Sequence, residues 1–384
     1  MAAENRVHSM IRQMEAHGLD VYVGVTSAFH NFLDADPVIS LTGFRPMGPC
    51  AVLLQKSGEI VLLVSPSWDA SRARDQCGAA HVVGCKDLVL ALDAELKKIS
   101  VLKPRVGLTI MAAVPAVLNR QIKSLFDTDV FDADDLLRQT AAVKTDDELE
   151  DARKATWIAE QGYRHMLDII KPGMAEFELA AEMLCFMKSI GSHDNFLLMS
   201  GAQHNNAVRA PSRRIMEYGD IMLAEITPAV NNQFSQICRT VILGESTELL
   251  RQRFAILQQA MVVGKAAALP GTRVSAVAQA INASISAAGF GDYCKPPYMR
   301  VRGHGLGNIS SEPNDTAEEN QQLLQRGMIF VMHPNQYFPD VGYLLCGEPV
   351  VITDNGAVAL STEEAELDQM AFRQKSPAGM EEAQ

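Results

Sequence analysis

The chain has 384 residues, 47% of them hydrophobic and 21% charged, and a formal net charge of -12. That length suits two domains better than one core, and the composition is that of a soluble globular protein. The acidic excess disfavours nucleic acid or an anionic membrane as a bulk electrostatic partner. The opening MAAENRVHSM has no uninterrupted apolar core of the kind a secretory signal needs. No run approaches the roughly 18 apolar residues of a membrane span. Cys50, Cys77, Cys85, Cys185, Cys238, Cys294 and Cys346 are scattered with no CxxC pair, so reduced thiols and a cytoplasmic location are expected.

Residues 4–17 read as an amphipathic helix with Val7, Met10, Ile11 and Met14 on one face and Gly18 closing it. Val21 to Val25 is a short apolar strand. Ala51 to Val64 reads as a hairpin, two apolar runs split by Lys56-Ser57-Gly58-Glu59. Leu88 to Ile99 and Val117 to Leu125 look helical around a further strand, Arg105 to Ile110. Alternating strand and helix predict an α/β domain with a partly parallel sheet over residues 1–140. A boundary falls near residues 134–145. There Thr145-Asp146-Asp147-Glu148 has capping-box form and opens a long helix to about Ile170.

Lys171-Pro172-Gly173 stops that helix, and Ala175 to Ile190 resumes helical periodicity. Leu269-Pro270-Gly271-Thr272 repeats the phrase before Val274 to Ala288. Helix, Pro-Gly, helix therefore occurs twice, which points to an internal duplication. The chain closes in a polar tail, 373–384, expected to fray.

Four phrases follow in order through the second half. They are Gly219-Asp220-Ile221-Met222-Leu223-Ala224-Glu225, Phe234-Ser235-Gln236-Ile237-Cys238-Arg239-Thr240, Gly303-His304-Gly305-Leu306-Gly307, and Gly327-Met328-Ile329-Phe330-Val331-Met332-His333-Pro334. With the duplication, this stretch resembles the creatinase/prolidase/methionine-aminopeptidase superfamily over about residues 145–365. The resemblance implies an α/β N-terminal domain, 1–140, followed by an α+β pita-bread domain, 141–372, with an internal pseudo-twofold repeat. It also implies a homodimer in which the N-terminal domain completes the neighbour's site.

Metallopeptidases of that superfamily hold two metal ions with two Asp, one His and two Glu. Those positions fall here on Glu225, on Gln236 where a bridging carboxylate is usual, on His304, and on His333 where a Glu is usual. The last falls on Cys346 or Gly347 depending on the anchor, with Glu348 beside it. A neutral amide does not bridge two cations as a carboxylate does, so an ordinary dinuclear site is not expected. Two further histidines of the peptidase members fall on Val208 and Ser311, with His204 four residues before the first.

The resemblance therefore implies a metal-independent, creatinase-like hydrolase or lyase acting on a C–N bond of a small carboxylate-bearing molecule. His304, His333, Glu225 and Glu348 are the candidate catalytic groups. Arg45, Phe44, His204, Gln236, Cys238 and Cys346 are the candidate substrate contacts, with Arg45 as a carboxylate clamp. Arg300 and Arg302 are further groups for an anionic substrate, and His193 and Asp194 stand near the family's pocket positions. No cofactor is expected. If a metal binds, it is a single zinc or iron on His304, His333 and Glu225, with Cys238 or Cys346 able to replace the carboxylate for zinc. A non-catalytic binding module is the third reading, and a cysteine nucleophile at Cys238 or Cys346 beside His304 is a minor one.

Overall fold

The computed structural model describes residues 2–27, 29, 36–77, 80–126, 130–308 and 314–371, so Ser311 and the polar tail lie outside it. The predicted first helix, α1, is Ala2–Ala16, and it buries Val7, Met10 and Met14 with Ile11 packed beside them. The strands that follow are β1 (Val21–Thr26), β2 (Cys50–Gln55), β3 (Ile60–Val64), β4 (His81–Gly84), β5 (Val106–Ile110) and β6 (Phe131–Asp132). Interleaved are α2 (Pro37–Thr42), α3 (Ala70–Gln76), α4 (Leu88–Leu96), α5 (Ala116–Lys123) and α6 (Asp134–Ala142). One sheet runs in the order β4-β3-β2-β1-β5-β6. β2 pairs antiparallel with β1 and β3, while β1–β5, β3–β4 and β5–β6 are parallel. Every residue of β1 is buried because helices cover both faces: Tyr22 enters one core, and Val21, Val23 and Val25 enter the other.

The chain then enters α7 (Asp146–Ile169) through the predicted capping box, in which the Thr145 hydroxyl accepts from Glu148 N and the Glu148 carboxylate accepts from Thr145 N. Arg6 ties α1 to this point: its buried guanidinium pairs with Glu148 and donates to the carbonyls of Thr140 and Val143.

From α7 onward the elements are α8 (Glu176–Ser189), β7 (Asp194–Ala202), β8 (Ile221–Val230), β9 (Gln233–Phe234), β10 (Ile237–Ile242), α9 (Glu248–Ala267), α10 (Val274–Ile285), β11 (Gly303–Gly305), β12 (Ile329–Met332), β13 (Gln336–Phe338), β14 (Gly342–Leu344), β15 (Glu348–Thr353), β16 (Gly356–Ala359) and β17 (Leu367–Gln369). They form a sheet β17-β10-β8-β7 with β9 on β8, a second sheet β11-β12-β15-β16, and the hairpin β13–β14. This is the α+β pita-bread arrangement that the resemblance implies.

Its internal repeat shows in the backbone hydrogen bonds. After the first Pro-Gly, Gly173 N bonds Met216 O at 2.8 Å and Met216 N bonds Met174 O at 2.9 Å. After the second, Gly271 N bonds Leu324 O and Leu324 N bonds Thr272 O, both at 2.8 Å. The entries to β8 and β12 match in the same way: Gly219 N bonds Leu243 O, and Gly327 N bonds Ile352 O. Between the two halves, Cys238 and Gly347 exchange both backbone hydrogen bonds, at 3.0 and 3.1 Å.

Candidate functional site

Glu225 lies mid-way along β8, between the fully buried Ala224 and Ile226. β10 runs antiparallel beside it and sets Cys238 directly opposite Glu225. Opposed residues of a pair leave the sheet on one face, so carboxyl and thiol share a side. Gln236, two residues earlier in the chain, is buried beside them. Its side-chain nitrogen lies 3.7 Å from Cys238 Sγ and 3.4 Å from His333 Nε2.

His333 follows directly on β12 and is held by its backbone N–H to Arg302 O at 2.8 Å. His304 sits in β11, opposite Val331 of β12. The two imidazoles meet edge to face, with centroids 5.4 Å apart. Gly303 makes this strand pairing possible: a Cβ there would stand 1.9 Å from the Val331 carbonyl oxygen.

Gly347 settles the register that the sequence left between 346 and 347. A Cβ on it would point into the cluster, 2.5 Å from Cys238 Sγ and 3.1 Å from His333 Cδ2. Along an extended segment the flanking side chains face the other way, and Glu348 does so. Its buried carboxylate lies 3.1 Å from Arg239 Nη1 and accepts from the Ser361 hydroxyl. Arg239 also donates to the carbonyls of Cys238 and Gly347, at 3.1 and 2.9 Å. Glu348 and Cys346 thus belong to the packing behind the site and not to its face. The sequence expectation that they line the pocket is corrected by this alternation.

Burial dominates the electrostatics. The Glu225 carboxyl is pushed up to about 7 by desolvation alone. Burial holds His304 below its ordinary value and His333 well below it, the second helped by its neighbour His304. The Cys238 thiol is raised by burial and then by Glu225. At neutral pH the centre is therefore two neutral imidazoles, a thiol and a carboxyl near half-protonation. Tyr343, in β14, is a neighbour that sequence reasoning missed. Its phenol is raised by burial and then by Glu225.

One carboxylate O, one thiol S and one imidazole N, from Glu225, Cys238 and His333, all lie within 4.8 Å of one another. This set differs from the one read from the sequence: Cys238 stands where His304 was expected. Among Glu225, Gln236, His304, His333 and Gly347, the five positions gathered at this centre, there is a single carboxylate. A pair of hard cations does not fit that set.

Other expected contacts lie elsewhere. Phe44 is wholly buried in the first domain's core, with the Arg72 guanidinium 4.5 Å over its ring. Arg45 is ion-paired to Asp194 of the same chain at 2.6 Å, each side chain about one-third exposed. Both line a cavity of about 840 Å³ between the two halves, with His193, Asn231 and Asn308. His204 is exposed, its ring edge-on to Tyr337 and 3.3 Å from Pro339 O. Arg302 is fully buried and structural, bonded to Asn282, Asn335 O and Gln336, and Arg300 pairs with Asp315 at the surface. Val208 packs against the apolar core. All seven cysteines are free, and no described helix is long and apolar enough to cross a membrane.

The sequence profile of metallopeptidase family M24 matches residues 150–358, more than half of the chain. The uncharacterized peptidase YqhT of Bacillus subtilis is 25% identical over 228 residues, 59% of this chain and 64% of that protein. The Xaa-Pro dipeptidase of Pyrococcus furiosus is 28% identical over 61% of this chain and 67% of its own length. The chain thus spans about two thirds of the length of these curated relatives. Among solved structures, the prolidase of Pyrococcus horikoshii OT3 superposes with a TM-score of 0.81 at 22% identity, covering 94% of this chain and 99% of that one. The Xaa-Pro dipeptidase of Bacillus anthracis superposes with a TM-score of 0.83 at 19% identity, over 96% and 100%.

Proposed function

The chain belongs to metallopeptidase family M24, and we propose that it is a hydrolase of a C–N bond in a small carboxylate-bearing molecule, a dipeptide or an N-substituted amino acid. The observation that carries this is the convergence of Glu225, Cys238 and His333 within 4.8 Å, with His304 edge-on to His333.

His304 is the general base. Its Nδ1 lies 3.0 Å from Gly305 O. With the Nδ1 proton donated there, Nε2 carries the lone pair that takes a proton from water. Burial keeps this imidazole neutral at physiological pH. Glu225, near half-protonation at neutral pH, holds a proton for the departing nitrogen. Val208 stands where peptidase members carry a histidine, which favours a substrate other than the usual Xaa-Pro amide. The likeness to Xaa-Pro dipeptidases supports a small substrate with a C–N bond without identifying it.

A homodimer, two domains of residues 1–140 and 141–372, and a cytoplasmic location belong to the same proposal. For Arg45 to clamp a substrate carboxylate it must exchange Asp194 for that ligand, since the ion pair occupies it. The test is a panel of dipeptides, N-acyl amino acids and amidino amino acids scored for amine release. His304→Ala is expected to lower kcat/KM on any hit by at least about 100-fold without changing the circular dichroism spectrum. Full activity in that variant overturns the assignment. Binding of these compounds without turnover of any would point instead to a non-catalytic binding module.

A further inference from the structure

We propose that the Gln236 side-chain amide is the donor that receives the negative charge developing on a substrate carbonyl oxygen, and that this centre therefore cleaves the acyl C–N bond of an amide and not that of an amidine. The inference rests on the reading of the same centre as the reaction site and adds a catalytic residue and the substrate class.

The reaction assigned above has a base, His304, and an acid, Glu225, and needs a donor at the oxygen that turns anionic on attack. Gln236 is 2% exposed, and one end of its amide lies 3.7 Å from Cys238 Sγ and 3.4 Å from His333 Nε2. The other end bonds to nothing among the described residues and is not sealed from solvent, so it faces the open side of the cluster. A half-turn about the last side-chain bond exchanges oxygen and nitrogen between the two ends. The neighbours decide which end is which. The Cys238 thiol is wholly buried, is kept protonated by that burial, and donates to no other group among the described residues. His333 is neutral and carries one N–H. With the amide oxygen turned inward, it accepts from the Cys238 S–H and from His333 Nε2–H together, and the NH2 group points to the open side. With the nitrogen inward, N–H faces S–H, and the sealed thiol proton has no acceptor.

Hydrolysis then proceeds as follows. His304 takes a proton from water, the water oxygen bonds to the carbonyl carbon, and the C=O π pair moves onto the carbonyl oxygen, where the Gln236 N–H groups donate to it. Return of that pair breaks the C–N bond as the Glu225 proton passes to nitrogen, leaving a carboxylic acid and an amine. His304 then releases its proton to solvent and Glu225 takes one up. An amide NH2 group suits a carbonyl oxygen before attack and suits it better after, when the oxygen carries the charge. An amidino group presents N–H donors at the same point, donor against donor, and forms no oxyanion. Cys238 acts through Gln236: it is a positioning residue that holds the amide oxygen and touches no reacting atom.

The experiment uses the full chain and compares N-acyl amino acids and dipeptides with amidino amino acids, scored for amine release. The unsubstituted chain is expected to hydrolyse acyl compounds and no amidino compound. Gln236→Met keeps the length of the side chain and removes its donor, so kcat on an acyl substrate should fall by about 100-fold or more with KM within about threefold. The same variant should lose about as much affinity for an N-phosphonyl amino acid, a tetrahedral anion, and little for the product amino acid. Cys238→Ser, which keeps an O–H donor to the amide, should retain about tenfold more kcat than Cys238→Ala. This pair keeps the test decisive if Gln236→Met does not fold. Unchanged kcat in Gln236→Met, equal loss of affinity for both ligands, or equal kcat in the two Cys238 variants would overturn the inference. Turnover of amidino compounds alone would overturn it while sparing the hydrolase proposed above. Amine release from no compound would overturn both.

Discussion

Replacing Glu225 with Gln isolates the most perturbed acid of the centre. Burial alone raises the Glu225 carboxyl from 4.5 to about 7. A difference of this size is worth about 3 kcal/mol at about 1.4 kcal/mol per pH unit. The sign follows from proton uptake. Between 4.5 and 7 the folded chain keeps a proton on Glu225 that the unfolded chain has lost. Stability from this group is thus fully present below about 4.5 and is lost as pH rises to about 7. His304 and His333 act in the opposite sense. Both are held below 6.5 in the fold, so their contribution is present above 6.5 and falls as pH drops. Because both histidines remain in Glu225→Gln, their share largely cancels when the two proteins are subtracted. The assay is urea unfolding followed by circular dichroism at pH 5, 6, 7, 8 and 9, with chelator present throughout. Relative to the variant, the unsubstituted protein should lose about 2.5 kcal/mol between pH 5 and 8, because part of the effect is already gone at pH 5. A difference that stays flat across that range would refute the raised, protonated carboxyl.

Two further substitutions probe the support of the site. Gly347→Ala places a Cβ 2.5 Å from Cys238 Sγ and should cost about 1–3 kcal/mol in urea unfolding. In a Cys238→Gly background, where both clashing atoms are gone, the same change should cost much less; equal costs in the two backgrounds would contradict the contact. Arg239→Met leaves the buried Glu348 without its cation and frees the carbonyls of Cys238 and Gly347. It should lower stability by about 3 kcal/mol or more, with Glu348→Gln closer to neutral because Arg239 keeps both carbonyl bonds. A loss under about 1 kcal/mol in Arg239→Met would show that the clamp carries little.

The sequence made the local elements readable where the signal is itself local. The Thr145–Glu148 capping box, the Lys56–Glu59 hairpin and the α1 face of Val7, Met10 and Met14 each depend on residues a few positions apart. Glu225, Gln236, His304 and His333 were readable because each sits in a short phrase of fixed form. What the sequence left open depends on side-chain direction or on distant partners. The stretch from Cys346 to Glu348 leads into β15, and a shift of one residue there exchanges site face for packing face. Only the contact of position 347 with Cys238 and His333 decides it. Arg45 looked free for a ligand because its partner, Asp194, comes from the other half of the chain. Phe44 looked like a pocket residue, but Arg72 covers it within the first core.

The duplication explains why the centre lies where it does. Gly219 and Gly327, Ile221 and Ile329, and Glu225 and His333 all stand at the same offset, so Glu225 and His333 are one structural position used twice. The halves meet at the paired Cys238 and Gly347, which face each other across the repeat. In a symmetric two-metal centre both copies of such positions carry carboxylates. Here one copy is a carboxyl and the other an imidazole, and the Cys238 thiol fills the space beside Gly347. Glu225 and Cys238 bring the carboxyl and the thiol of the cluster, one from β8 and one from β10, directly opposed across the strand pair.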